Sequence, residues 1–243
     1  MADAGVGPDD RVLEVGAGFG SITLALAEAG CEVLAMEFDR RIAPALREVM
    51  ADHPRVRVEQ ADAMRADWDR LLGDGSWAMV SNLPYNISVP LMVELLERVP
   101  QVTRYVVMVQ KEVGERFVAS PGDEAYGTVS VRVAYRARAE LVRRVPAGVF
   151  WPRPNVDSVL VRLVPHPPPV AADPVDLFLV VEEGFAERRK TMANALRRLG
   201  LERGDAIRIL RATEILPSAR AEELGLEDFA RVTAALRSEG WRS

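Results

Sequence analysis

The residues best suited to chemistry stand in one stretch, Ser81-Asn82-Leu83-Pro84-Tyr85-Asn86-Ile87-Ser88. An apolar run, Trp77 to Val80, precedes it and reads as a strand; an amphipathic run, Val89 to Leu96, follows and reads as a helix. Asn offers a carbonyl acceptor and an amide donor. Pro fixes the backbone and leaves only a carbonyl, and Tyr supplies a flat face on which a planar ring can stack. Paired acceptors beside a stacking face suit recognition of an exocyclic amine on a base. In an open α/β sheet the carboxyl end of a strand is where ligands bind. Asn and Pro also punctuate ordinary turns, so these four residues alone leave both a turn and a site open.

The elements that would position such a group come in order from the N-terminus. Val12-Leu13-Glu14-Val15 is a short apolar run, followed by Gly16-Ala17-Gly18-Phe19-Gly20 and a helical periodicity from Ser21 to Ala29. Glycines there let a ligand approach the backbone, and the helix start presents free N–H groups. The spacing is G-x-G-x-G, with Ser21 where the dinucleotide pattern has its third glycine. Glu32 to Met36 is the next strand, and Glu37 at its end falls close to the offset at which a carboxylate meets ribose hydroxyls. Val56 to Glu59 is a third strand, closed by Asp62, whose carboxylate can accept from the amino group of an adenine. A glycine loop, a Glu and an Asp at three successive strand ends point to an adenosine-type ligand.

Beyond the Asn82 stretch, Thr103 to Val109 reads as a fifth strand, and Gln110-Lys111-Glu112 opens a helix running to Ala119. Val129 to Tyr135 alternates as a strand. Leu141 to Phe150 and Ser158 to Val164 are extended segments around the loop Trp151-Pro152-Arg153-Pro154. The β-α alternation argues an α/β, doubly wound sheet with late antiparallel strands at one edge. Pro165 to Pro169 reads as a stiff linker. Helical patterns then cover Val175 to Phe185, Arg188 to Leu199, Asp205 to Thr213 and Leu226 to Arg237. The expected domains are therefore 1–166 and a small all-helical 167–243.

With 243 residues, 49% of them hydrophobic, the chain can bury a sizeable core. No apolar run reaches the ~18 residues of a membrane span, and the N-terminus lacks the pattern of a secretory signal. One cysteine excludes an internal disulfide framework and fits a reducing, cytoplasmic setting. With two histidines besides, a Cys/His zinc site is not expected, nor any other metal. The net charge of −5 is unevenly spread: residues 1–131 carry −9, residues 132–211 carry +6 and the tail −2. A basic middle is what a phosphate-facing surface would look like, and also what solvated helix faces look like.

Taken together, these stretches resemble the ribosomal RNA adenine N6-dimethyltransferases, most closely their small-subunit branch. The likeness runs through Val12 to Gly20, Glu37-Phe38-Asp39, Asn82 to Ser88 and Gln110-Lys111-Glu112. It continues through Tyr126-Gly127-Thr128-Val129-Ser130, Phe150 to Ser158 and Phe185 to Thr191, in family order. It implies a Rossmann-like class I methyltransferase sheet, S-adenosylmethionine as cofactor, and dimethylation of two adjacent adenosines in a hairpin near the 3′ end of 16S rRNA. By that analogy Glu14, Gly16, Ala17 and Gly18 line the methionine end. Glu37 and Phe38 lie at the ribose, Asp62 and Ala63 at the adenine, and Asn82 beside the reactive methyl. The target base would be held by Asn82 with a Leu83 or Pro84 carbonyl and stacked by Tyr85 and Phe150. Arg153, Arg188, Arg189, Lys190, Arg197 and Arg198 would face rRNA, with Arg189, Lys190, Arg197 and Arg198 on one helix face. The partner is the small ribosomal subunit, and the protein is expected to be a monomer. A large-subunit dimethyltransferase of the macrolide-resistance type, and a binding-only assembly factor on the same fold, are the competing readings.

Two departures stand out. Family members carry a Gly-Gln-Asn-Phe-Leu type segment ahead of the glycine strand, whereas this sequence starts about ten residues before Val12. Either the start has been assigned too late or the lid is truly lacking, and weaker cofactor binding and slow turnover are expected in the second case. Ala17 replaces the Pro common between the first two glycines, an exchange expected to be harmless.

Overall fold

The computed structural model describes residues 3–241. Seven strands form one sheet: β1 (Arg11–Val15), β2 (Glu32–Glu37), β3 (Val56–Gln60), β4 (Trp77–Asn82), β5 (Val102–Gln110), β6 (Ala137–Val145) and β7 (Ser158–Pro165). Their order is β3-β2-β1-β4-β5-β7-β6. The first five are parallel; β7 runs antiparallel to β5, and β6 to β7. Helices α1 (Ser21–Glu28), α2 (Ala43–Val49), α3 (Trp68–Leu72) and α4 (Ser88–Arg98) connect the parallel strands. β1, β2 and β4 are buried along almost their whole length, as parallel strands covered on both faces must be. Their largely apolar runs follow from that.

The order reverses between β1 and β4, which pair through Val12 with Ala78 and Leu13 with Met79. Such a reversal opens a crevice at the carboxyl ends of the strands. Here it brings together the glycine loop after β1 and the Asn82 turn after β4.

The chain forms two compact units, residues 1–114 with 137–165, and residues 115–136 with 166–243. A single cut at the proline linker, as the pattern predicts, misses this. The second unit also takes an earlier excursion of the chain, entered within α5 (Lys111–Val118) and containing α6 (Thr128–Arg136). The remaining helices of that unit are α7 (Pro174–Ala186), α8 (Met192–Arg198), α9 (Arg203–Ala212) and α10 (Leu226–Ser238). Their shared core includes Leu177, Met192, Ile209 and Phe229. Edge-to-face ring pairs, Tyr126 with Phe185 and Tyr135 with Phe178, add to it.

Val129 to Tyr135 is thus helical, where alternation predicts a strand. Its V-x-V-x-V spacing also sets Val131 and Tyr135 four apart, on one helical face. Both are buried in the helical core, with Ser130 Oγ accepting the Gly127 N–H at the helix start. Tertiary burial overrides the β-branched preference. A second correction concerns Arg188 to Leu199. The helix begins only at Met192, after a turn in which Lys190 N donates to the Glu187 carbonyl. Arg189 and Lys190 therefore do not share a helix face with Arg197 and Arg198.

Candidate active site

Two adjoining hollows lie at the carboxyl edge of the first unit. The larger, a cavity of about 430 Å³, is lined by Gly16, Glu37, Phe38, Asp62, Ala63 and Pro84, with Val15, Met36, Asp39, Ala61, Met64, Asn86 and Ile87. The smaller, about 310 Å³, is lined by Asn82, Leu83, Pro84, Tyr85 and Phe150, with Trp151, Pro152 and Pro154. Pro84 belongs to both walls, so the hollows meet at the Asn82 turn.

Each wall has a local cause. Glu37 ends β2 with its carboxylate held by two backbone donors, Gly18 N and Asp39 N, each at 2.8 Å. A carboxylate has about four lone-pair directions, so both oxygens can still accept from hydroxyls. The Gly18 bond also ties the glycine loop to the neighbouring strand. Gly16 has φ +76°, and a Cβ there would lie 2.9 Å from Pro84 Cδ. Only glycine lets the loop touch the turn. Asp62 begins a 3₁₀ turn by accepting the Met64 N–H at 3.0 Å.

The Asn82 turn is braced from several sides. Ser81 Oγ accepts the Val15 N–H at 2.9 Å, pinning β1 to β4 at the crevice. Leu83 N donates to the Met108 carbonyl, Ile87 N to the Pro84 carbonyl and Ser88 Oγ to the Tyr85 carbonyl. Tyr85 is half-buried, and its hydroxyl pairs with Ser158 Oγ at 3.1 Å. Among the described residues the Asn82 side chain makes no hydrogen bond, so its amide faces the smaller hollow unspent. Phe150 is half-buried on a loop whose base is closed by Asp157. Ala147 N donates to that carboxylate at 2.9 Å and Arg144 Nε at 3.0 Å. These bonds hold its pKa below the usual carboxylate range.

Not every expected residue reaches the cavity. Glu14 turns inside: it is 1% exposed and accepts the Thr23 hydroxyl at 2.6 Å. It is not among the residues lining the cavity, where the resemblance places it, and burial pushes its pKa up to about 8. Ala17 packs into the core beside Val12 and Leu26, and Gly18 contributes only through Glu37. Conversely, Met64 as a wall of the larger cavity escapes the sequence reading, and the bracing roles of Ser81 and Ser158 do too, although both stand in stretches quoted above. Only a polar Ser158 opening an apolar strand offered any signal.

The family model described as ribosomal RNA adenine dimethylase matches residues 1–237. The chain belongs to the ribosomal RNA adenine dimethylase family. The "Ribosomal RNA small subunit methyltransferase A" of Thermobifida fusca is 45% identical over 94% of this chain and 81% of its own. That of Moorella thermoacetica is 40% identical over 96% and 85%. A dimethyladenosine transferase from Plasmodium falciparum shares the fold, with TM-score 0.80 at 22% identity, covering 98% of this chain and 94% of its own. The 23S rRNA methyltransferase ErmE gives 0.71 at 25%, covering 97% and 94%. The class I, Rossmann-like methyltransferase fold and S-adenosylmethionine as cofactor follow from the family. The larger cavity fits that cofactor: it has carboxylates for hydroxyl and amino donors, Phe38, Met64 and Ile87 as apolar walls, and a volume in the ~300–1,000 Å³ range of ligand sites. Among the described residues no helix is long and apolar enough to cross a membrane, and no three acidic, His or Cys side chains cluster as a metal site.

Proposed function

We propose that this dimethylase transfers methyl groups to N6 of two adjacent adenosines in a hairpin near the 3′ end of 16S rRNA, as a step in small-subunit biogenesis. The observation that carries the chemistry is the unspent Asn82 amide, which lines one hollow with Tyr85 and Phe150 and lies one proline away from the Gly16–Glu37–Asp62 cavity. The small-subunit assignment is supported by relatives at 40–45% identity that bear that name.

Adenine N6 is a poor nucleophile because its lone pair is delocalised into the ring. When bound, S-adenosylmethionine supplies a methyl group on a positively charged sulfur. Glu37 and Asp62 would hold its ribose and adenine. Asn82 Oδ1 accepts one N6–H, and a main-chain carbonyl accepts the other. The Pro84 carbonyl already takes the Ile87 N–H at 3.1 Å, which favours Leu83 for that role. With both N–H bonds engaged the lone pair turns out of the ring plane, so the rate gain comes from orientation and fixed dipoles. The adenosine leaves its stack to enter the smaller hollow; Tyr85 and Phe150 then hold it, each stacking contact worth about 1–3 kcal/mol.

The test incubates the protein with labelled S-adenosylmethionine and undermethylated small subunits, large subunits or neither, then maps the modified base. N6-dimethyladenosine near the 3′ end of 16S rRNA is expected, with Asn82→Ala slower by about 10²–10³-fold. Label confined to large-subunit rRNA would overturn the small-subunit assignment in favour of the macrolide-resistance type.

A further inference from the structure

At the sheet edge opposite the active site, the amino ends of β1 to β4 frame an open cleft of about 500 Å³. Its lining carries Arg11, Arg55, Arg57 and Arg70 against one carboxylate, Glu32, a net of +3. That is a positive island within a segment of the chain whose own net charge is −9. Among the described residues none of the four arginines has a carboxylate within ion-pair distance.

Three of them are held in place by uncharged groups. Arg11 Nη2 donates to the Asp74 carbonyl at 2.6 Å, and its guanidinium lies 5.0 Å from the Trp77 ring centre. Gly75, at φ +107°, leaves room for it, since a Cβ there would run into the guanidinium. Arg55 Nη2 donates to the Pro8 carbonyl at 3.0 Å, and Arg57 to the Leu71 carbonyl. A carbonyl fixes a guanidinium without cancelling its charge, and each fork keeps further N–H donors. The ordering cost of binding an anion is therefore already partly met. Arg70, exposed at the rim, makes no side-chain bond among the described residues.

We propose that this cleft seats consecutive backbone phosphates of the RNA substrate. The active site lies at the other end of β1 and β4, strands of five and six residues, roughly 17 Å away at ~3.3 Å per residue. Guanidiniums match phosphate oxygens bidentately, and four of them line this cleft. The one aromatic lining it, Trp77, is 4% exposed and lies beneath Arg11, so no face remains for stacking a base. The contact is sequence-blind, positioning a second stretch of rRNA while the hairpin enters the crevice. The inference rests on the rRNA-modifying reading, but not on which subunit is the target.

The experiment measures binding of the full chain to whichever ribosomal subunit the wild type methylates, as a function of salt. The wild type is compared with the double variant Arg55→Gln/Arg70→Gln and a control, Arg40→Gln/Arg47→Gln, whose arginines do not line the cleft. Losing two phosphate contacts should flatten the log–log salt slope by about 1.8. It should raise KM for the subunit by about 10-fold at moderate salt, and leave the Kd for S-adenosylmethionine unchanged. Equal slopes and KM for wild type and cleft variant, with matching thermal unfolding, would overturn the proposal, as would an equal loss in the control. Inorganic tripolyphosphate forms the last arm. Competition with the subunit that the cleft variant abolishes supports the proposal; tight tripolyphosphate binding with no effect on subunit binding assigns the cleft to a free polyphosphate and overturns it. Because the RNA used is the one modified, a wrong choice of subunit fails in the base mapping and not here.

Discussion

At Asn82 the protein leaves an amide without an internal partner, whereas its neighbours are bonded on every side. One of these braces is the Tyr85 hydroxyl on Ser158, at 3.1 Å. If that pair holds the ring where a base must stack, Tyr85→Phe and Ser158→Ala should each lower kcat by a similar few-fold factor. The double variant should then be no slower than either, while Tyr85→Ala loses about 10-fold or more with the stacking face. Additive losses in single-turnover rates would separate the two residues and remove the tether. Glu14 makes a different prediction. With its folded pKa raised from 4.5 to about 8, its contribution to stability is full below pH 4.5, falls as pH climbs to about 8, and is flat beyond. The total is on the order of several kcal/mol for so buried a group. Glu14→Gln keeps an acceptor for Thr23 but cannot ionise, so its urea midpoint should decline less than the wild type's between pH 5 and pH 8. Parallel declines would place the raised pKa in doubt.

At the scale of elements, the crevice depends on how closely the loop after β1 meets the turn after β4. Gly16→Ala meets both a disfavoured φ and the Pro84 ring. It should cost about 2–4 kcal/mol of stability and weaken S-adenosylmethionine binding. Gly18→Ala, with φ +58° and open space around its Cβ, should cost about 1 kcal/mol. Calorimetric unfolding and cofactor titration on both variants check the order; equal costs would show that the contact with Pro84 is unimportant. Helix α6 shows where pattern and structure part. A seven-residue segment with valines at alternate positions satisfies a strand and a helix alike, and burial of Val131 and Tyr135 among helices decides it.

Across the whole molecule the basic charge divides into spent and available parts. Arg188 donates to the Glu124 and Tyr126 carbonyls at 2.9 and 3.1 Å, and Arg198 pairs with Glu183 and Glu187 at 2.7 and 3.3 Å. Both are partly committed to the second unit's own architecture. Arg189, Lys190 and Arg197 are exposed and have no such partners among the described residues, as is Arg153 in the first unit. Neutralising Arg189, Lys190 and Arg197 together should reduce the salt slope of subunit binding by up to about 2.7 with little change in Tm. Arg198→Gln should instead lower stability by about 1 kcal/mol or less and leave the slope nearly intact. The reverse result in salt titrations would reassign the RNA face. By itself the sequence determined the order of the parallel strands' loops, the Glu37 and Asp62 carboxylates, the Asn82 turn, and with them family and cofactor. Those features are contiguous, and their meaning lies in residue type at a strand end. The tertiary structure alone decided that Glu14 is buried, that Gly16 bears on Pro84, that residues 115–136 join the C-terminal helices, and which arginines remain free. Each of these depends on what a side chain meets from a distant part of the chain, and local pattern carries no record of that.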